Sequence, residues 1–161
     1  YNVVPDILTS AKGLGGGFPI GAMLAKEAWA QVFQPGTHGT TFGGNPLAAT
    51  VANAVLAHLD APLLAGVGER HALIVDQLNA ISARYDAFSA VRGTGLLIGA
   101  ELAGPLRGKA KTLTNLAAEE GLIALIAGPD VLRFAPALNI PLADIAEAFV
   151  RLDRAVARLT R

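Results

Sequence analysis

The sequence predicts an α/β protein, because strand-like and helix-like hydrophobic patterns alternate along its 161 residues. Short apolar runs beside a glycine cluster, at 6–11 and 19–25, are typical of strands. Apolar residues at spacings of three and four, over 63–84 and 141–159, are typical of helices that pack along one face. Residues 87–102 have the strand–turn–strand pattern of a hairpin.

The beginning of the chain combines two predicted strands with a glycine-rich connection. Residues 6–11 and 19–25 are predicted as short buried strands. The Gly13–Gly17 cluster between them is too flexible to belong to either strand and is suited to a tight or unusual backbone path. We expect a helical turn or two over 26–33. Residues 34–46, dense in Gly, Pro and Thr, are predicted to form a loop.

A long helix is predicted to follow that loop. Pro46 suits the first helical position, and Asn45 suits the N-cap before it. The helix is expected to continue through "LAATVANAVLAHLD" and to be broken at Asp60-Ala61-Pro62. Its apolar residues cover nearly all faces, which predicts burial on more than one side.

The remainder of the chain is predicted to contain both helices and strands. Gly93-Thr94-Gly95 and Gly128-Pro129-Asp130 have the composition of tight turns, and Gly121 suits the end of a helix. The predicted elements are a helix over 63–84, strands in "AFSAVRG" and "GLLIGAEL", a helix over 108–120, strands in "LIALIAG" and "VLRFAPAL", and a helix over 141–159.

We expect three segments: residues 1–45, which resemble the end of an α/β unit, a connecting helix over 46–60, and an α+β module over 61–161. The first segment is too small to bury its own strands. The chain also begins at Tyr1 rather than at Met. Both features lead us to expect a piece of a longer protein.

Composition excludes several classes of function. Thirteen basic and thirteen acidic residues give a net charge of zero, which argues against nucleic-acid binding. The chain has no cysteine, so thiolate metal sites and disulfides are excluded, and a cytoplasmic location fits. No apolar run reaches the length of a membrane span. The three histidines, His38, His58 and His71, stand at unrelated positions and predict no metal site.

Lys12 raises the main chemical question. It follows the apolar run of "DILTSAKGLGGGFPIGAMLA" and precedes four glycines within five residues. Such a lysine could be a surface residue, an anion-binding residue of a phosphate loop, or a nucleophile whose amine is kept neutral by burial. Phosphate loops place the lysine after the glycines, and the dinucleotide fingerprint G-x-G-x-x-G is missing. The nucleotide-loop hypothesis is therefore rejected, and the covalent one survives beside the surface one.

Four motifs in order carry a resemblance to a known family: "PDILTSAKGLGGGFPIGAMLA", "HGTTFGGNPLA", "VRGTGLLIGAEL" and "VLRFAPALNI". The chain resembles the class III aminotransferases that use pyridoxal phosphate, and within them the acetylornithine aminotransferases of arginine biosynthesis. The resemblance implies the C-terminal portion of an aspartate aminotransferase-like fold. Residues 1–45 would then end the large cofactor-binding domain, and 61–161 would be the small domain.

The resemblance also implies roles for four residues. Lys12 matches the lysine that binds the cofactor covalently and moves the substrate proton, with the following glycines supplying backbone slack. Thr41, with Thr40 as second choice, matches the threonine that reaches the cofactor phosphate of the neighbouring subunit. Arg133 matches the arginine that holds the substrate α-carboxylate. The residues alone equally allow Thr40 and Thr41 to end a loop, and Arg133 to be an edge-strand arginine in a salt bridge.

The activity implied is amino transfer between N2-acetylornithine and 2-oxoglutarate, in a homodimer with shared active sites. Residues for gripping the phosphate, stacking on the ring and pairing with its nitrogen have no counterpart here, so we expect this chain alone to be inactive. Alternatives are an ornithine, succinylornithine or 4-aminobutyrate aminotransferase, a related decarboxylase or racemase, or a truncated product without catalysis.

Overall fold

The computed structural model describes residues 2–161, which form two compact units. The first unit ends at Asp60, and the second begins at Ala61. The elements of the first unit are β1 (Ile7–Ala11), a 3₁₀ turn (Lys12–Gly15), β2 (Gly21–Ala25), α1 (Glu27–Ala30) and α2 (Pro46–His58).

In the first unit β1 and β2 form an antiparallel pair that runs from Ile7 opposite Ala25 to Ala11 opposite Gly21. Both predicted strands are therefore confirmed, but their predicted burial is wrong. Ile7 and Leu24, for example, are 54% and 58% exposed. The physical reason is that a two-stranded sheet needs another layer to cover its faces. Helix α2 does not provide that layer, because it packs on the 3₁₀ turn.

Helix α2 begins where the sequence predicts. Asn45 is its N-cap, and Asn45 Oδ1 accepts a hydrogen bond from the backbone N–H of Ala48 at 2.9 Å. The expected burial on more than one side is wrong, because Ala48 and Ala52 are the buried residues of this helix. The other apolar side chains of α2 find no second layer within this unit.

The second unit places helices against one face of a four-stranded sheet. Its strands are antiparallel to their neighbours in the order β3-β4-β6-β5. Its elements are α3 (Ala61–Tyr85), β3 (Phe88–Thr94), β4 (Leu97–Leu102), α4 (Ala110–Glu119), β5 (Leu125–Ile126), β6 (Val131–Phe134) and α5 (Leu142–Leu159).

The core of this unit lies between the sheet and its helices. Alternate residues of β4, namely Ile98, Ala100 and Leu102, are buried, as the two-residue period of a strand requires. The matching helical stripes come from all three helices, and α5 contributes Ile145, Phe149, Leu152 and Val156.

The strands predicted over 122–128 and 131–138 are shorter than expected. The first reduces to Leu125–Ile126 and the second to Val131–Phe134. Pro136 lacks the N–H that a longer β6 would need for its ladder of hydrogen bonds. Ile123 lies outside β5 and is 90% exposed. The turn predicted at Gly128-Pro129-Asp130 is confirmed, and the two strands that it connects are antiparallel.

Candidate active site

Lys12 stands where β1 ends and the 3₁₀ turn begins. Its φ is +54°, a left-handed conformation that costs a side-chain-bearing residue about 1–2 kcal/mol. The lysine is exposed, and its amine makes no hydrogen bond or ion pair with any described residue. This unit therefore does not supply the burial expected for a nucleophilic lysine. It supplies a free amine on a strained backbone, and such strain clusters at functional sites.

The glycines after Lys12 form a closed turn, which confirms the tight or unusual backbone path that the sequence predicts. The N–H of Gly16 donates to Gly13 O at 3.2 Å, and that of Phe18 donates to Gly15 O at 2.8 Å. Gly15 is buried, and a Cβ there would lie 2.8 Å from Ile20 Cγ2. Close packing at Gly15, and a left-handed φ of +54° at Gly16, explain why glycine occupies these positions.

Two surface cavities meet at this turn. Lys12 borders one of them and Thr40 borders the other, and Pro19 and Ile20 line both. The second cavity also contains Asn45, at the N-terminus of α2. The structure thus places the lysine and the threonine on two cavities that share a wall.

Thr40 and Thr41 lie in the loop that leads into α2. Thr40 and Thr41 are exposed, and their hydroxyls have no hydrogen-bond partner among residues 2–161. Asn45 fixes this loop by donating from Nδ2 to Phe42 O at 2.9 Å while it caps the helix. Free hydroxyls beside a helix N-terminus are suited to bind a phosphate group.

Arg133 lies within β6, between Gly99 of β4 and Leu125 of β5 in the sheet register. Its Nε is buried and has no hydrogen-bond partner in the described chain. Because β6 is an internal strand and Arg133 forms no ion pair with any described residue, the edge-strand salt bridge is wrong. A buried guanidinium N–H without a protein acceptor suits a ligand carboxylate.

The cavity beside Arg133 has a volume of about 310 Å³. Apart from Arg133 its wall is built of apolar residues and backbone, among them Ile74, Phe134, Pro136, Ile140 and Phe149. The charged group therefore stands at the margin of an apolar space, where a hydrogen bond is electrostatically stronger than in water. Lys12, Thr40 and Thr41 belong to the first unit and Arg133 to the second, and each is described within its own unit.

Sequence reasoning missed two polar anchors beside β6. The Asp130 carboxylate accepts a hydrogen bond from the N–H of Gly108 at 2.5 Å, although the sequence marks Asp130 only as a turn residue. Arg70 Nε donates to Ile140 O at 2.7 Å. Since these partners lie far apart in sequence, hydrophobic periodicity gives no signal for either contact.

Within residues 2–161 no group of three or more His, Cys, Asp or Glu side chains is arranged to hold a metal ion. In the same part of the chain no single helix is long and apolar enough to cross a membrane. Helices α2 and α3 meet the length and hydropathy criteria only when the two are counted together.

Comparison with known proteins gives consistent matches along the chain. Residues 1–156 match the family model "Aminotransferase class-III". The chain is 69% identical over 159 residues to a succinylornithine transaminase of Photorhabdus laumondii, covering 98% of this chain and 40% of that protein. It is 54% identical over 162 residues to an acetylornithine/succinyldiaminopimelate aminotransferase of Yersinia pestis, covering 100% of this chain and 40% of the relative.

Among solved structures, an N-acetylornithine aminotransferase from Stenotrophomonas maltophilia superposes with a TM-score of 0.89 at 44% identity. That match covers 98% of this chain and 41% of the other. The chain thus spans about two fifths of the length of each of these three relatives.

The match to the family model covers nearly the whole chain, so the resemblance seen in the four sequence motifs is confirmed. The predicted α/β class is confirmed too, since the structural match is to an aminotransferase. Pyridoxal phosphate is the cofactor that family membership implies. The chain belongs to the class III aminotransferase family.

Proposed function

We propose that this chain is the C-terminal portion of an enzyme that transfers the side-chain amine of an N2-acylated ornithine to 2-oxoglutarate. The observation that carries the proposal is Lys12, whose amine has no partner among residues 2–161 and whose backbone is strained, in a chain of this family. The sequence motifs favour N2-acetylornithine as the amino donor. The 69% identity to a protein named succinylornithine transaminase makes N2-succinylornithine the second candidate.

The described residues fit a pyridoxal phosphate cofactor in their donor chemistry. Thr40 and Thr41 offer hydroxyl groups beside the N-terminus of α2, and Lys12 offers a primary amine. When bound, the cofactor supplies an aldehyde and an electron-withdrawing ring that stabilises a carbanion at the carbon bearing the amine. These groups are of the types needed to hold a phosphate and an aldehyde.

Lys12 is proposed to have two tasks. Its neutral amine would be the group that holds the cofactor aldehyde when no substrate is bound. With substrate bound, Lys12 Nζ would accept the proton of the substrate carbon that bears the amine, as a general base, and would later donate that proton, as a general acid. Both tasks require an amine that is not held in an ion pair with a carboxylate of the protein. Lys12 forms no such ion pair with the described residues.

Arg133 is proposed to hold the α-carboxylate of the substrate. A guanidinium can donate two parallel hydrogen bonds to a carboxylate, which fixes its orientation as well as its position. The buried Nε of Arg133 donates to no group in the described part of the chain, so it is available to such a carboxylate. Orienting the carboxylate decides which bond of the substrate lies in position to be broken.

We further propose a cytoplasmic homodimer in which Thr41, with Thr40 beside it, contacts the cofactor phosphate of the neighbouring subunit. The cysteine-free composition accords with a reducing compartment. Residues 1–45 are proposed as the end of the cofactor-binding domain, 46–60 as the connecting helix, and 61–161 as the small domain.

The experiment for Lys12 uses the complete polypeptide that carries this chain, incubated with pyridoxal phosphate and then reduced with borohydride. We expect mass spectrometry to find the pyridoxyl group on Lys12, and the visible absorbance of bound cofactor to vanish in Lys12→Ala. The matched control is Lys26→Ala, since Lys26 lies in the same unit but its amine is paired with Asp6 at 2.8 Å. Labelling of Lys26 with Lys12 unmodified would refute the assignment.

The substrate is decided by comparing kcat/KM for N2-acetylornithine, N2-succinylornithine, ornithine and 4-aminobutyrate, each with 2-oxoglutarate. We expect both acylated ornithines to exceed the other two, and their mutual ratio identifies the preferred acyl group. A higher value for ornithine or 4-aminobutyrate would overturn the proposal. Release of carbon dioxide, or racemisation without amino transfer, would identify the decarboxylase or racemase alternative.

The chain of 161 residues by itself is expected to show no turnover, because the groups that stack on the cofactor ring and pair with its nitrogen have no counterpart in it. Purified 1–161, mixed with cofactor and both substrates, tests this directly. Turnover that disappears in Lys12→Ala would refute the expectation.

A further inference from the structure

Arg70 connects helix α3 to the segment that follows β6. Its Nε donates to Ile140 O at 2.7 Å, and its Nη1 donates to Gly66 O at 2.8 Å, one turn earlier on the helix. The side chain is partly buried. One guanidinium therefore holds the helix and the segment together through two carbonyl groups.

The segment anchored in this way forms part of the cavity beside Arg133. Residues 135–140 leave β6 directly after the strand ends at Phe134, and a turn closes where Ile140 N donates to Ala137 O at 3.1 Å. Pro136 and Ile140 from this segment line the same cavity as Arg133. The position of Ile140 therefore helps to set the width of the cavity.

The two ends of β6 are held by different groups. At the start, Asp130 O accepts a hydrogen bond from Leu102 N at 2.7 Å, and its carboxylate accepts one from Gly108 N. Beyond the end of the strand, the described residues give segment 135–140 one long-range hydrogen bond, the one from Arg70 to Ile140 O. Loss of Arg70 should consequently release the segment after the strand and leave the strand itself in register.

The buried Nε of Arg133 has no acceptor among the described residues, so no protein hydrogen bond fixes this part of the guanidinium. The direction of the side chain then depends on the wall against which it lies. A displacement of about 1 Å in a positioning group can cost up to about a hundredfold in efficiency. Segment 135–140, which forms this part of the wall, and Arg70, which anchors the segment, therefore help to determine how Arg133 binds a carboxylate.

We propose that Arg70 is a positioning residue, which sets the affinity of the site for the substrate carboxylate by fixing the 135–140 segment beside Arg133. This inference rests on the proposed function of Arg133. Arg70 has no contact with the reacting groups in this proposal. Its loss should raise KM for the carboxylate substrates and leave kcat nearly unchanged, which is the signature of an interaction equal in ground and transition states.

Gly66 provides a test that keeps Arg70 in the protein. A Cβ added at Gly66 would overlap Nη1 of Arg70, the far end of a flexible side chain that can move aside. Alanine also favours a helix more than glycine does. Gly66→Ala should therefore displace the Arg70 guanidinium while the helix stays as stable as before, or becomes more stable.

The chain offers a matched control on the same helix. Gly68→Ala adds the same methyl group where nothing lies within 4 Å. This control alters the helix in the same way as Gly66→Ala but leaves the Arg70 side chain in place.

The experiment measures kcat and KM for the amino donor and for 2-oxoglutarate in the complete holoenzyme. We expect Arg70→Met and Gly66→Ala to raise KM about tenfold, with kcat within about twofold, on the scale of small misplacements. Arg70→Lys, which retains one donor for Ile140 O, should recover part of the loss. Gly68→Ala should leave KM unchanged. Equal KM values in the Gly66→Ala and Gly68→Ala enzymes would overturn the proposal.

A second readout separates this inference from the proposed function. Backbone hydrogen exchange over 135–140 should accelerate in Arg70→Met and stay unchanged in Gly68→Ala, whatever reaction the enzyme performs. If exchange does not change in either variant, Arg70 does not anchor the segment and the inference is wrong. If exchange accelerates but Arg133→Lys has an unchanged KM, the anchor stands, while the role proposed for Arg133 and the effect on KM are refuted.

Discussion

Replacement of Gly93 by alanine should damage the second unit more than any other glycine substitution of similar exposure. Gly93 lies in β3 just before the turn to β4, with φ of +151°. An added Cβ would overlap Leu97 O and would lie 2.9 Å from Ile98 Cα. Both neighbours are backbone atoms of the paired strand, so no side chain can rotate away to make room.

The cost has two sources. A side-chain-bearing residue at such a positive φ loses about 1–3 kcal/mol, and overpacking against a fixed neighbour costs about 1–3 kcal/mol more. We therefore expect a loss of about 2–6 kcal/mol, against a total of about 5–15 kcal/mol for an ordinary domain. The β3–β4 hairpin should shift its register or open at the turn.

The assay is urea unfolding of the chain, followed by far-ultraviolet circular dichroism, with Gly104→Ala as the control. Gly104 lies in the same unit with φ of +45°, but a Cβ there would meet nothing within 4 Å. The control thus measures the conformational cost, about 1–2 kcal/mol, without the overlap. If Gly93→Ala is no less stable than Gly104→Ala, the steric argument is wrong.

Three further predictions concern stability. Leu152→Ala, at a fully buried position of α5, should cost about 2–5 kcal/mol in urea unfolding, whereas the exposed Val150→Ala should cost far less. Asn45→Ala removes the cap that accepts from Ala48 N and should destabilise α2 by about 1 kcal/mol; Asn45→Asp should not. Hydrogen bonds from Arg158 to Glu119 and Glu120 raise the pKa of its guanidinium, so its stabilising contribution is present below the ordinary arginine pKa and is lost only at more alkaline pH. Arg158→Gln should therefore lower Tm slightly at neutral pH and low salt, and the difference should shrink in high salt because exposed ion pairs are screened.

The second unit shows how far the sequence determines the fold. The predicted helix over 141–159 is observed as Leu142–Leu159, and the apolar positions of its repeat face the core. The hairpin around Gly93-Thr94-Gly95 is also observed, with β3 and β4 antiparallel. In both cases the apolar face of the element and the layer that covers this face lie in the same unit. The local sequence pattern and the tertiary packing therefore agree.

The first unit shows where this reasoning stops. The apolar strands β1 and β2 form as predicted, yet they are exposed, because apolar composition indicates that a surface is fit for burial but does not supply the covering layer. Prediction of the candidate site is limited in another way. Sequence motifs single out Lys12, Thr41 and Arg133 as candidate site residues. The φ of Lys12 and the hydrogen bond from Arg70 to Ile140 depend on tertiary structure, so no motif predicts them.

The glycine turn after Lys12 supports, in structural terms, the rejection of a nucleotide loop. In a phosphate loop the backbone N–H groups point at the ligand. Here the N–H groups of Gly16 and Phe18 are used inside the turn, on Gly13 O and Gly15 O. Close packing at Gly15 and the left-handed φ of Gly16 account for glycine without any ligand. We therefore propose the hydroxyls of Thr40 and Thr41, and not the glycine turn, as the phosphate-binding groups of this unit.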